Sequence, residues 1–122
     1  MISAILLAAG ESKRMQGENK LTKLYNGLPL IQHSITNILN SSINELIIVL
    51  GYQSEIISNL VSNNKKIKIV INKNYPSGMS SSIKLGLKNL SKLSNAFFIC
   101  LADMPLIDTK VYEDLIKSKK IM

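Results

Sequence analysis

A chain of 122 residues, 46% hydrophobic and 19% charged, is long enough for one compact domain and short for two. Its longest apolar run, Ala4 to Ala9, falls far below the about 18 residues of a membrane helix, and the lone Cys100 excludes an intrachain disulfide and reads as a small buried hydrophobe. The net charge of +7 admits a nucleic acid, a membrane surface or an anionic small molecule as partner.

The lysines are scattered, with local groups only at 65, 66 and 68 and at 117, 119 and 120. Aromatic residues do not interleave with them as a single-strand platform requires, which argues against nucleic acid. The amino terminus lacks the positive region of a signal peptide, so a cytoplasmic protein with no membrane partner is expected.

In chain order, "ISAILLA" (Ile2 to Ala8) is a continuous apolar run, as in a strand buried on both faces. "PLIQHSITNIL" (Pro29 to Leu39) places Leu30, Ile31, Ile35, Ile38 and Leu39 on one helical face, with Pro29 in the first turn and His33 off the apolar face as a surface residue. "ELIIVL" (Glu45 to Leu50) is a second buried strand ending at Gly51. "SEIISNLVS" (Ser54 to Ser62) reads as a short helix capped by Ser54. "IKIVIN" (Ile67 to Asn72) is a third strand. "SSSIKLGLKNL" (Ser80 to Leu90) is a helix with Ile83, Leu87 and Leu90 toward the core. "NAFFICLA" (Asn95 to Ala102) is a fourth strand, and "TKVYEDLIKSK" (Thr109 to Lys119) a helix capped by Thr109.

Such alternation predicts an α/β fold, a Rossmann-like parallel sheet with helices on both faces. Right-handed crossovers favour the strand order 3-2-1-4, which puts strands 1 and 4 side by side and makes the carboxyl edge between them a ligand site.

Three stretches fall on that edge. After strand 1, Leu7, Ala8, Ala9 and Gly10 allow close backbone approach, Ser12 adds a hydroxyl, Arg14 offers a planar fork for phosphate oxygens and Lys20 a mobile charge. Arg14 is the sole arginine beside fourteen lysines; the bland alternative is a solvated loop. After strand 4, "LADMP" carries Asp103, one of three aspartates, which could hold Mg²⁺ together with phosphate oxygens or make an Asx turn before Pro105. "NYPSGMSSS" joins Gly78 to Ser80, Ser81 and Ser82 at a helix start, suited to a polar ligand group or to a serine N-cap. Met79 and Met104 flank these stretches and read as packing residues. No nucleophile–base pair or zinc pattern is present in the sequence.

"LAAGESKRM" with Lys20, then "GLPLI", "PSGMSSSIKLGL" and "LADMP" resembles, over Leu7 to about Leu115, the MobA-like nucleotidyltransferases, and among them the molybdenum cofactor cytidylyltransferases. The resemblance implies a fold like that of the nucleotide-diphospho-sugar transferases and transfer of a nucleoside monophosphate from CTP (or GTP), with Mg²⁺, to a phosphate-bearing acceptor such as molybdopterin, releasing pyrophosphate. It places Leu7 to Gly10 against the nucleotide, Arg14 and Lys20 on the triphosphate, Asp103 on the metal, Gly51 and Asn72 beside base and ribose, and Gly78 to Ser82 near base and acceptor. Ala9 stands where guanylyl-transferring relatives have glycine, which implies a pocket better suited to a pyrimidine.

Gln16 departs from the pattern by separating Met15 from Gly17, which lengthens the phosphate loop by one residue. The sequence also ends at Met122, before the strands and helices that carry the family's acceptor contacts and a second acidic metal ligand. Residues 1–122 are therefore expected to be a single nucleotide-binding α/β domain without that part, as a truncated product, a fragment or one piece of a split enzyme whose remainder another chain supplies. A nucleotide-binding module without turnover and a basic nucleic-acid-binding domain remain as alternative functions.

Overall fold

The computed structural model describes residues 1–10, 20–61, 63–102 and 109–118. β1 (Ile2–Ala8) leads to a 3₁₀ turn (Lys20–Thr22), the short strands β2 (Leu24–Tyr25) and β3 (Leu28–Pro29), α1 (Leu30–Leu39), β4 (Glu45–Leu50), α2 (Ser54–Ser58) and β5 (Ile67–Ile71). A second 3₁₀ turn (Tyr75–Ser77), α3 (Met79–Lys88), β6 (Ala96–Leu101) and α4 (Thr109–Ser118) complete the order.

The main sheet runs β5-β4-β1-β6, and its pairs are all parallel. This is the expected 3-2-1-4 order. β1 at its centre has Ala4, Ile5 and Leu6 fully buried, because side chains alternate into two cores. One core joins Ala4, Leu6, Leu46, Ile48 and Phe98 to Ile31, Ile35 and Ile38 of α1, Ile57 of α2 and Tyr112 and Ile116 of α4. The other joins Ile5, Leu7, Ile47 and Val49 to Ile83, Leu85 and Leu90 on the α3 side. Helices therefore cover both faces. Among the described residues, no helix is long and apolar enough to cross a membrane.

Several local expectations change. β2 and β3 form an unanticipated antiparallel hairpin. Its turn residues Asn26 and Gly27 have φ of 51° and 84°, the left-handed pair that a two-residue hairpin turn requires and that Asn-Gly tolerates. His33 is half-buried rather than a plain surface residue: its Nε2 meets the Tyr25 carbonyl and its ring packs edge-on against Tyr25 at 5.4 Å, holding the hairpin to α1. α2 closes at Ser58 with Gln53 in the capping position, not Ser54. α3 is capped by Gly78, not by a serine. Thr109 is the first residue inside α4, where its hydroxyl donates to the Asn37 carbonyl of α1 (2.9 Å).

The largest revision concerns the buried face of α3. Leu87, expected in the core, is exposed, whereas Ser82 and Gly86 are buried. A Cβ on Gly86 would lie 2.7 Å from Ile5 Cγ2, so small residues one turn apart set the close approach of α3 to the sheet.

Cys100 is buried and unpaired, as expected. Burial pushes its thiol up to about 12. The neighbouring Tyr112 hydroxyl is also raised by burial, then by the charge of a Cys100 thiolate. Tyr112 stacks on Phe98, and its hydroxyl makes no well-formed hydrogen bond among the described residues.

At the amino edge of the sheet, polar groups close on one another. Ser3 Oγ bonds Glu45 Oε1 (2.6 Å) and Ser94 Oγ (2.8 Å), and Glu45 Oε1 accepts the Ser91 N–H (2.9 Å). Asn44 pairs with the Ile2 backbone through both its main chain and its side chain. The opposite, carboxyl edge carries Ala9, Gly51 and Asn72.

Candidate functional site

Strand register sets the described candidates at the strand ends side by side. Ala8 is paired with Leu50, Leu50 with Ile71, and Leu7 with Leu101, so the strands end nearly level. Three hydrogen bonds carry the ladder one step further: Tyr52 N–H to the Ala9 carbonyl (2.9 Å), Asn72 N–H to Leu50 (2.6 Å) and Ala102 N–H to Leu7 (3.1 Å). Ala9, Gly51, Asn72 and Ala102 thus form a row along one edge, at the place where the chain reverses its direction of winding.

Within that row, Gly51 is a point of close approach. A Cβ there would lie 2.8 Å from Tyr75 Cβ and 2.9 Å from the Ala9 carbonyl oxygen. Both neighbours are held near the backbone, so neither yields easily. Gly51→Ala is expected to cost about 1–3 kcal/mol, the usual range for overpacking. Gly10→Ala, where a Cβ would meet nothing within 4 Å, should leave stability unchanged. Urea titration of both variants checks the contrast.

Two aromatic residues that the sequence reading missed stand here. Tyr75 packs with Ala9 and Leu7 in the α3-side core, and its ring meets that of Tyr52 edge-to-face at 6.2 Å. Each directly follows a strand end and its turn (Leu50-Gly51-Tyr52, and Asn72 to Tyr75), a signal available in the sequence. Ala9 is buried in the cluster against which Tyr75 packs.

Asn72 is buried as well. Its Nδ2 donates to Ser81 Oγ (2.8 Å) and Ser82 Oγ (2.9 Å), and its Oδ1 accepts the Asn74 N–H (2.9 Å). Ser81 Oγ also lies 2.8 Å from the Gly78 carbonyl and 3.1 Å from that of Asn74. Gly78 has φ of +114°, a conformation glycine adopts at no steric cost. Gly78, Met79 and Ser80 are exposed at the start of α3, so Met79 does not pack as expected.

Lys20 opens its 3₁₀ turn, whose Leu21 is buried in the α1-side core that also contains Ala8 and Ala102. Gly10 is exposed. Ser12, Arg14, Asp103 and Met104 lie outside the described residues. Ala102, which precedes Asp103, is fixed from both sides, since its carbonyl also accepts the Ser34 hydroxyl (3.1 Å). Among the described residues there is no group of three or more His, Cys, Asp or Glu side chains that could hold a metal ion.

Known proteins resemble the chain in sequence and in fold. The chain is 31% identical over 105 residues to the bifunctional protein GlmU of Acholeplasma laidlawii, covering 85% of this chain and 22% of that protein. It is 30% identical over 104 residues to the nicotine blue oxidoreductase of Paenarthrobacter nicotinovorans, covering 85% of this chain and 50% of that one. It superimposes on a nucleotidyl transferase from Methanothermobacter thermautotroptrophicus with a TM-score of 0.87 at 21% identity, over 96% of this chain and 57% of the other. The 4-diphosphocytidyl-2C-methyl-D-erythritol synthase of Anaerococcus prevotii gives a TM-score of 0.80 at 22% identity, over 98% and 51%. A manganese complex of Rv0371c from Mycobacterium tuberculosis gives 0.76 at 16% identity, over 95% and 58%. The chain thus spans about a quarter of the GlmU relatives it matches and little more than half of these structures. The sequence profile of the MobA-like NTP transferase domain matches residues 4–120, and the chain belongs to that family.

Proposed function

We propose that the chain is the nucleotide-binding part of a Mg²⁺-dependent nucleotidyltransferase that moves CMP from CTP to a phosphate-bearing acceptor of the molybdopterin kind. The observation that carries this reading is the level row of Ala9, Gly51, Asn72 and Ala102 at the switch point, in a chain of the MobA-like family. The cytidylyl-type synthase and the manganese-bound structure among its structural neighbours accord with a cytidine nucleotide and a divalent ion.

In this reading an oxygen of the acceptor phosphate attacks the α-phosphorus in line. A bond forms there, the bond from the α-phosphorus to its bridging oxygen breaks, and pyrophosphate leaves with the electron pair. The protein supplies position and charge. Arg14 and Lys20 hold the triphosphate, and the backbone of Leu7 to Gly10 lies against the nucleotide. Asp103 is the residue to hold the metal, which when bound neutralises phosphate oxygens.

The test is calorimetric titration with CTP and GTP, with and without Mg²⁺, followed by a pyrophosphate-release assay with a phosphorylated acceptor. CTP is expected to bind more tightly than GTP by about 1–3 kcal/mol, the scale of a methyl-sized steric difference. Asp103→Asn, which keeps the side-chain shape, should remove the Mg²⁺-dependent part of CTP affinity while the circular-dichroism spectrum persists. Equal Mg²⁺ dependence in the variant defeats the metal assignment. Nucleotide binding without pyrophosphate release would identify a module that binds without turnover.

A further inference from the structure

We infer that Asn72 is a positioning residue, which sets the nucleoside half of the site by clamping α3 to the end of β5 without touching the nucleotide. The inference rests on the nucleotide-binding reading above and changes the role of this residue within it, from a group that lines the base and ribose to one that acts through its neighbours.

The observation is a buried side chain engaged at both ends of its amide. Asn72 is 5% exposed, and an asparagine amide has two N–H donors and one carbonyl oxygen. Both faces of that amide are engaged: Nδ2 with Ser81 and Ser82, Oδ1 with the Asn74 N–H. The backbone N–H of Asn74 is a donor only, so it fixes which end of the amide is oxygen. A ligand could take a donor from Asn72 only by breaking one of these, and the second lone pair of Oδ1 belongs to a side chain that is almost wholly enclosed.

These bonds span the turn that carries Tyr75. One end of the amide holds the chain entering the turn, at Asn74; the other holds the first helical turn leaving it, at Ser81 and Ser82. Between them, Tyr75 rests on Gly51 and meets Tyr52 edge-to-face. An aromatic wall beside hydroxyl and backbone groups suits a flat, uncharged heterocycle, whereas phosphate oxygens are the natural partners of Arg14 and Lys20. Release of the clamp should therefore loosen the contact with the base and leave the triphosphate contact in place.

The experiment compares CTP with inorganic tripolyphosphate, by calorimetry, in the wild-type chain and in Asn72→Leu, a replacement of similar size with no hydrogen bonds. CTP affinity is expected to fall about tenfold, the effect of roughly one lost hydrogen bond's worth of positioning, while tripolyphosphate affinity stays within about twofold. A purely structural role would lower the folded fraction and weaken both ligands by one common factor. Ser82→Ala, which removes one of the two acceptors, should move the same ratio in the same direction by about threefold and covers the case in which Asn72→Leu fails to fold. Parallel losses for both ligands, or an unchanged ratio in the soluble variant, overturn the inference. A wild-type chain that binds neither CTP nor tripolyphosphate overturns the nucleotide reading and this inference together, and so is told apart from failure of the clamp alone.

Discussion

Lys20→Ala is expected to lower the rate of pyrophosphate release by roughly 10²–10³-fold, the usual consequence of removing one preorganised electrostatic group. Where no turnover is detected, the same change should weaken the nucleoside triphosphate more than the nucleoside. The backbone at this position should survive the substitution. Lys20 begins a 3₁₀ turn closed by the Lys23 N–H on its own carbonyl (3.1 Å), and Leu21 beside it is buried. Alanine keeps all of these features and removes the ammonium group. An unchanged rate and an unchanged triphosphate affinity would dismiss this lysine from the site.

Gly86→Val should be the most damaging single change on the α3 side of the sheet. Even a Cβ at this position lies 2.7 Å from Ile5 Cγ2, 3.3 Å from Ile5 Cδ1 and 3.5 Å from Val49 Cγ2, and Ile5 and Val49 are fully buried in the central strands. Removing glycine from a helix gains a few tenths of a kcal/mol in propensity. Three added carbons against a rigid sheet cost more, about 3 kcal/mol. For a domain of this size that corresponds to a fall in Tm of roughly 10 °C. Because α3 also carries Ser81 and Ser82, the lifted helix should lose CTP affinity as well. Differential scanning calorimetry and titration of the same sample test both effects.

The main sheet was legible because its strands are apolar on both faces and alternate with helical periods, which leaves few topologies once crossovers are right-handed. What escaped were features decided by shape. Leu87 satisfies a helical apolar period, yet Ser82 and Gly86 take the buried line because only small side chains let α3 approach Ile5 and Val49. The β2–β3 hairpin announces itself in Asn26-Gly27, but its strands are two residues long, too short to show alternation. At the site, the sequence placed Ala9, Gly51 and Asn72 at strand ends, and the register agrees. That Asn72 is spent on Ser81, Ser82 and Asn74 depends on side-chain directions after a turn, which spacing does not encode. Tyr52 and Tyr75 lie 23 positions apart and meet only because β4 and β5 end level.

The order of the sheet also governs how the chain is made. Of the four strands described in the main sheet, β1 leaves the ribosome before the other three and its neighbour β6 after them: Ile2 pairs with Ala96, 94 positions later. At typical synthesis rates of about 5–20 residues per second, β1 waits roughly 5–20 s for that partner. Throughout this interval one edge of "ISAILLA" has no strand to pair with, the kind of apolar edge that invites association with other nascent chains. Ribosome-bound chains halted before β6 should therefore engage a holding chaperone through this segment, and release from it should coincide with emergence of "AFFICL".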